Sequence, residues 1–84
     1  MLKLLYFATL RERMGRAEED LPLAPGVATV ADLIHTLAQR DPAGAAAFAN
    51  PHLVRAAVNQ EFARSAAPIH DGDEIAFFPP VTGG

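Results

Sequence analysis

The chain has 84 residues, a net charge of −3 and no cysteine, and 50% of it is hydrophobic; 17 residues are alanine, which leaves 25 larger apolar side chains for one thin core. The missing cysteines exclude a disulfide framework, a thiolate metal site and a thiol nucleophile, and the acidic balance speaks against a nucleic-acid binder. No run approaches the roughly 18 apolar residues of a membrane span, and the start lacks the pattern of a secretory signal. The expectation is one small cytoplasmic domain, with no membrane or nucleic-acid partner, that leans on a protein partner.

Leu2 to Phe7 reads as a strand, and Lys3 sets its parity. Side chains alternate faces, so Lys3, Leu5 and Phe7 point to water and Leu2, Leu4 and Tyr6 inward. Thr9 and Glu12 have the spacing of a capping box for a short helix, and Gly15 is placed to end it. Residues 16–23 carry Glu18-Glu19-Asp20 before Leu21-Pro22-Leu23, an edge strand with a solvated acidic run. Pro25-Gly26 marks a turn.

Thr29 caps the clearest helix, with Asp32 completing the box. Val30, Leu33, Ile34 and Leu37 form its apolar stripe, with Ala38 beside it. Asp41-Pro42 stops it, and residues 43–49 predict another short helical turn. Leu53 to Asn59 predicts a third strand, with Arg55 wet and Val54, Ala56 and Val58 inward. Residues 59–61 read as a turn, 63–70 as irregular chain and Asp71-Gly72-Asp73 as a tight turn. Glu74 to Phe78 is the last strand, with the bulkier Ile75 and Phe77 inward. The order is that of an α+β domain, a mixed sheet crossed by one principal helix. His35, His52 and His70 lack metal-ligand spacing, and Asp71-Gly72-Asp73 lacks the rest of a calcium loop, so no metal site is expected.

The last ten residues carry no charged side chain. Pro79-Pro80 cannot continue a central strand and favours an extended conformation. Gly83 and Gly84 have no side chain, so the end can thread a channel that any Cβ would block. From Pro79 onward the six residues reach roughly 20 Å. The division is a domain at 1–78 and a tail at 79–84 that presents a terminal carboxylate. Such a carboxylate becomes reactive once ATP converts it to an acyl-adenylate. The chain has no phosphate-cradling loop, so a partner must do this.

The run Asp71 to Gly84, Lys3-Leu4-Leu5-Tyr6-Phe7-Ala8 with Leu10-Arg11-Glu12, and Ala57-Val58-Asn59-Gln60 resemble the small-subunit family of molybdopterin synthase. The resemblance spans the chain, although residues 39–53 match no family motif. It implies a β-grasp, ubiquitin-like fold with the first and last strands parallel neighbours. It also implies a sulfur carrier that binds no cofactor itself. Gly84 would be adenylated by a ubiquitin-activating-type adenylyltransferase using ATP and converted to a thiocarboxylate. Pro79, Pro80, Val81, Thr82 and Gly83 would thread into the large synthase subunit, within a heterotetramer. There the sulfur would pass to cyclic pyranopterin monophosphate to build the molybdopterin dithiolene. The alternatives are sulfur delivery to thiamine, thiolated tRNA or cysteine, a ubiquitin-like protein modifier, and a plain interaction module.

If the terminal strands are neighbours, Phe7 and Phe78 share the outer face near the tail. Phe62 either joins them or closes the core. Together they are the expected partner-binding patch, with Arg11 as a candidate rim contact.

Overall fold

A computed structural model describes residues 1–80. Five strands, β1 (Leu2–Tyr6), β2 (Glu18–Leu21), β3 (Arg55–Val58), β4 (Glu61–Ala63) and β5 (Glu74–Phe78), form one mixed sheet in the order β2-β1-β5-β3-β4. The helices α1 (Ala8–Met14), α2 (Val30–Arg40) and α3 (Pro42–Ala47) and a single 3₁₀ turn (Pro51–Leu53) make up the rest. This is the expected β-grasp arrangement, and its centre is the parallel pairing of β1 with β5, with Tyr6 opposite Phe77.

The inward sets are those that alternation predicts. Leu2, Leu4 and Tyr6 of β1 and Ile75 and Phe77 of β5 are buried against Val30, Leu33 and Leu37 of α2. Phe48, which follows α3, closes the core edge-on to Phe77 at 5.1 Å, and Tyr6 stacks on Phe77 at 6.2 Å. The capping box of α2 is present: Asp32 N donates to Thr29 Oγ1, and Thr29 N to Asp32 Oδ2. Residues 65–69 look irregular because their carbonyls serve another element. Ser65 O and Ala67 O accept from Ala31 N and Val30 N, two donors left over at the start of α2.

Four expectations are corrected. Thr9 does not cap α1. Phe7 N still donates to Phe77 O, so the strand turns into the helix at once, through Ala8 at φ 53°, and Thr9 lies inside the first turn. The third strand begins at Arg55, because Asn50 and Pro51 start a 3₁₀ turn over Leu53. A fifth strand, β4, was not expected. Asn59 and Gln60 both have positive φ, the conformation of a two-residue hairpin turn, so the chain reverses by Glu61.

The fourth correction concerns the acidic run. Glu18 and Asp20 are exposed, but the Glu19 side chain is only 10% exposed. It accepts from the Tyr6 hydroxyl at 2.7 Å and from both Arg40 Nη1 (2.7 Å) and Nη2 (3.0 Å). Burial alone would raise its pKa, but the bonds from Arg40 and Tyr6 outweigh that and lower it. Burial, then the bond to Glu19, pushes the Tyr6 hydroxyl above its ordinary range, so it stays a donor.

Glu19→Ala is expected to cost about 1–3 kcal/mol in chemical denaturation, because Tyr6 and Arg40 lose their shared acceptor. The folded pKa of Glu19 lies below 4.5, its ordinary value. Its contribution is therefore present above that value and lost as pH falls through the folded pKa. The stability gap between wild type and Glu19→Ala should close in acid.

Candidate functional site: the outer sheet face and the chain's exit

The helices cover one face of the sheet and leave the other open. Register fixes what lies there. Leu5 stands opposite Ala76, Ala76 opposite Ala57, and Ala57 opposite Phe62, so one row crosses four strands. In the next row Phe78 stands opposite Arg55, and Phe7 follows β1 on the same side, in line with Phe78. The row at the other end carries Lys3, Glu74 and Asp20, and Lys3 reaches Glu18 at 3.8 Å. The open face is thus apolar where β5 ends and charged where it begins.

Phe7 is 49% exposed and Phe62 88%. Phe78 is half-buried, with its ring edge-on to Phe62 at 5.9 Å. Phe62 therefore does not close the core; it joins Phe78 on the outer face. The pair lies outside the buried core, with the Phe62 ring almost wholly in water. Pro79 and Pro80 leave this patch half-buried. Val81, Thr82, Gly83 and Gly84 lie outside the described residues.

Arg11 is exposed on α1 and lines a shallow depression with Ala8, Glu12, Gly15, Arg16 and Ala17. The Arg11 amide donates to the carbonyl of Phe7, so Arg11 lies one helical turn after that aromatic. Arg55 is the cation that the sequence analysis missed as a rim residue. It was read only as a parity marker, yet its register places it beside Phe78.

The entry to β5, at the opposite end of the strand from the exit, is tied down by side chains. Asn59 Oδ1 accepts from Glu74 N, and Asn59 Nδ2 donates to Asp73 Oδ1, each at 3.0 Å. Asp73 Oδ2 accepts from His70 N at 2.8 Å. Asp71 pairs with the N-terminal ammonium of Met1, which holds its carboxyl below the usual range. The two aspartates thus serve the turn into β5. Among the described residues no group of three or more His, Cys, Asp or Glu is placed to hold a metal ion, and no helix is long and apolar enough to cross a membrane.

The profile described as the ThiS family matches residues 4–84. The chain is 42% identical to the molybdopterin synthase sulfur carrier subunit of Escherichia coli (strain K12), over 100% of both chains. It is similar to the solved structure of a protein from Pyrococcus furiosus described as molybdopterin converting factor, subunit 1: TM-score 0.75, 31% identity, 95% of this chain and 97% of that one. It is also similar to small archaeal modifier protein 1 of Haloferax volcanii: TM-score 0.73, 27% identity, 95% and 97%.

Two substitutions test the face assignment by chemical denaturation. Phe62→Ser, on the open face, should change stability by no more than about 0.5 kcal/mol. Phe77→Ala, one residue before Phe78 but fully buried, should cost about 3–5 kcal/mol.

Proposed function

The chain belongs to the ThiS family, and from that membership we propose that it is the sulfur carrier subunit of a molybdopterin synthase. The observation that carries the reading is the ending. An uncharged run, Phe77-Phe78-Pro79-Pro80-Val81-Thr82-Gly83-Gly84, leaves the central strand beside an open aromatic face. A carrier needs both parts: a body surface to dock and a slender carboxylate-bearing end to reach the chemistry.

In this reading an adenylyltransferase joins the Gly84 carboxylate to AMP from ATP, releasing pyrophosphate. A sulfur donor then displaces AMP and leaves a thiocarboxylate. The carrier docks on the large subunit through Phe7, Phe62 and Phe78, with Arg55 at the rim. Pro79 to Gly83 enter the large subunit, and the sulfur passes to cyclic pyranopterin monophosphate. Once the sulfur is bonded to the substrate, water attacks the Gly84 carbonyl, the carbon–sulfur bond breaks, and the water oxygen restores the carboxylate while the sulfur stays on the substrate. Two sulfurs make one dithiolene, so two carriers act per product, consistent with a heterotetramer. The chain itself contributes surface, reach and the reacting terminus. Acid–base groups and the substrate pocket belong to the partner, and the chain needs no cofactor of its own.

The likeness to an archaeal modifier favours one second reading, in which the same activated glycine is joined to an amine. The two readings share adenylation and part at the acceptor. Isopeptide-linked adducts in cells would support the modifier, and a free thiocarboxylate consumed by the large subunit would support the carrier.

The test is a synthase reconstituted with its large subunit and activating enzyme. Deleting Gly84 should abolish sulfur transfer while leaving subunit binding in place. Phe7→Ala should weaken binding about tenfold or more, the size of a modest hot spot, with an unchanged unfolding midpoint. Retained transfer without Gly84 would refute the carrier role.

A further inference from the structure

Arg55 stands at the exit end of the open face, opposite Phe78 and one row beyond Ala57 and Ala76. The charged end of that face is far away. Glu74 lies four residues back from Phe78 along β5, about 13 Å at the rise of a strand. Glu18 lies on β2, three strands across from β3, which is about 14 Å. Both separations exceed the Debye length of about 8 Å at physiological salt, so neither carboxylate compensates Arg55 through water. Among the described residues no ion pair includes Arg55.

The guanidinium is nonetheless held. Its Nη1 donates to the carbonyl of His52 at 3.1 Å and to that of Val54 at 3.4 Å. Both carbonyls belong to the 3₁₀ turn and its end, so the backbone that leads into β3 also fixes the direction of the side chain. The two bonds use one nitrogen. Nε and Nη2 have no acceptor among the described residues. Those two nitrogens form an edge of the guanidinium that takes a carboxylate bidentately. An arginine anchored at Nη1 and open at this edge has given up part of its rotamer entropy before a partner arrives.

A partner that closes over Phe7, Phe62 and Phe78 also takes water away from Arg55. A desolvated guanidinium that meets only apolar groups is strongly unfavourable, and a carboxylate across the interface removes the penalty. Building on the docking face proposed above, on which this inference rests, we propose that Arg55 is a specificity residue. The covering surface of the partner places an Asp or Glu carboxylate against its Nε–Nη2 edge. A surface with an apolar or basic residue at that place is rejected by the unpaired charge.

The test measures binding of the full chain to the large synthase subunit by titration calorimetry, at low and at high salt. Wild type is compared with Arg55→Lys, Arg55→Gln and Arg55→Leu. Arg55→Gln and Arg55→Leu should each weaken binding about tenfold or more. Arg55→Lys keeps the charge and loses the fork, so it should fall between them and wild type. Wild-type affinity should fall more steeply with salt than that of Arg55→Gln. Arg55 is exposed, and the unfolding midpoint of each free variant checks that the domain is intact. Equal or tighter binding by Arg55→Leu, with wild type binding and transferring sulfur, would overturn this inference alone, because the covering surface would then suit an apolar residue. Full affinity of Arg55→Gln with an unaltered salt dependence would also overturn it, since the acceptor across the interface would be neutral. Absence of any binding by wild type would overturn the docking reading and the role of Arg55 together.

Discussion

The parallel pairing of β1 with β5 is the constraint on which the rest of the molecule depends. It joins the two ends of the sequence at the middle of the sheet, with Leu4 opposite Ile75 and Tyr6 opposite Phe77. Its inner face supplies the largest buried side chains, and its outer face brings Phe7 and Phe78 level with each other. It also sets the direction in which the chain leaves the domain. A central strand is paired on both sides, so its frame is stiff up to Phe78. The Pro79-Pro80 step then ends pairing, because neither residue has an amide hydrogen to donate. A reactive terminus held on a rigid strand arrives at a partner in a defined place. The same terminus on a frayed loop would lose that advantage to conformational entropy.

Two smaller devices keep this centre closed. Glu19 joins β2, β1 and the end of α2 by accepting from Tyr6 and Arg40, with Arg16 at 3.4 Å. A carboxylate so little exposed is tolerable only because several donors converge on it. At the same end of α2, Asp41 acts twice. It ends α2 in extended backbone and caps α3 by accepting from Gly44 N at 2.7 Å. Gly44 is needed there for closeness: a Cβ would come within 1.9 Å of Leu37 O, a backbone atom that cannot swing away. The tight turn lets α3 deliver Phe48 onto Phe77.

Much of this was legible in the residues. Lys3 and Arg55 gave the parity of β1 and β3, and side-chain bulk oriented β5, because alternation leaves only two choices per strand. Thr29 and Asp32 marked the start of α2, since a capping box is a local, self-contained pattern. What escaped reading depends on partners remote in sequence. Glu19 looks like its solvated neighbours until Arg40 is brought across from α2. The irregular stretch after Ala63 makes sense only against the amides of Val30 and Ala31. Gln60 gave no sign of a hairpin, because positive φ is expected of glycine or asparagine there. Thr9 and Glu12 had the right spacing but the wrong place, since β1 keeps its pairing through the Phe7 amide. At the site, the aromatic patch was readable from parity. Its cation was not, because Arg55 joins Phe78 through the β3–β5 register.

Intact mass spectrometry tests most directly whether the Gly84 carboxylate carries sulfur, on a chain with its native C-terminus incubated with a matched activating enzyme, ATP and a sulfur donor. The expected result is a mass gain equal to exchanging one oxygen for sulfur, localised by fragmentation to Gly84. An unchanged mass, with the same activating enzyme shown competent on another carrier, would contradict it and leave the tail as a docking element alone.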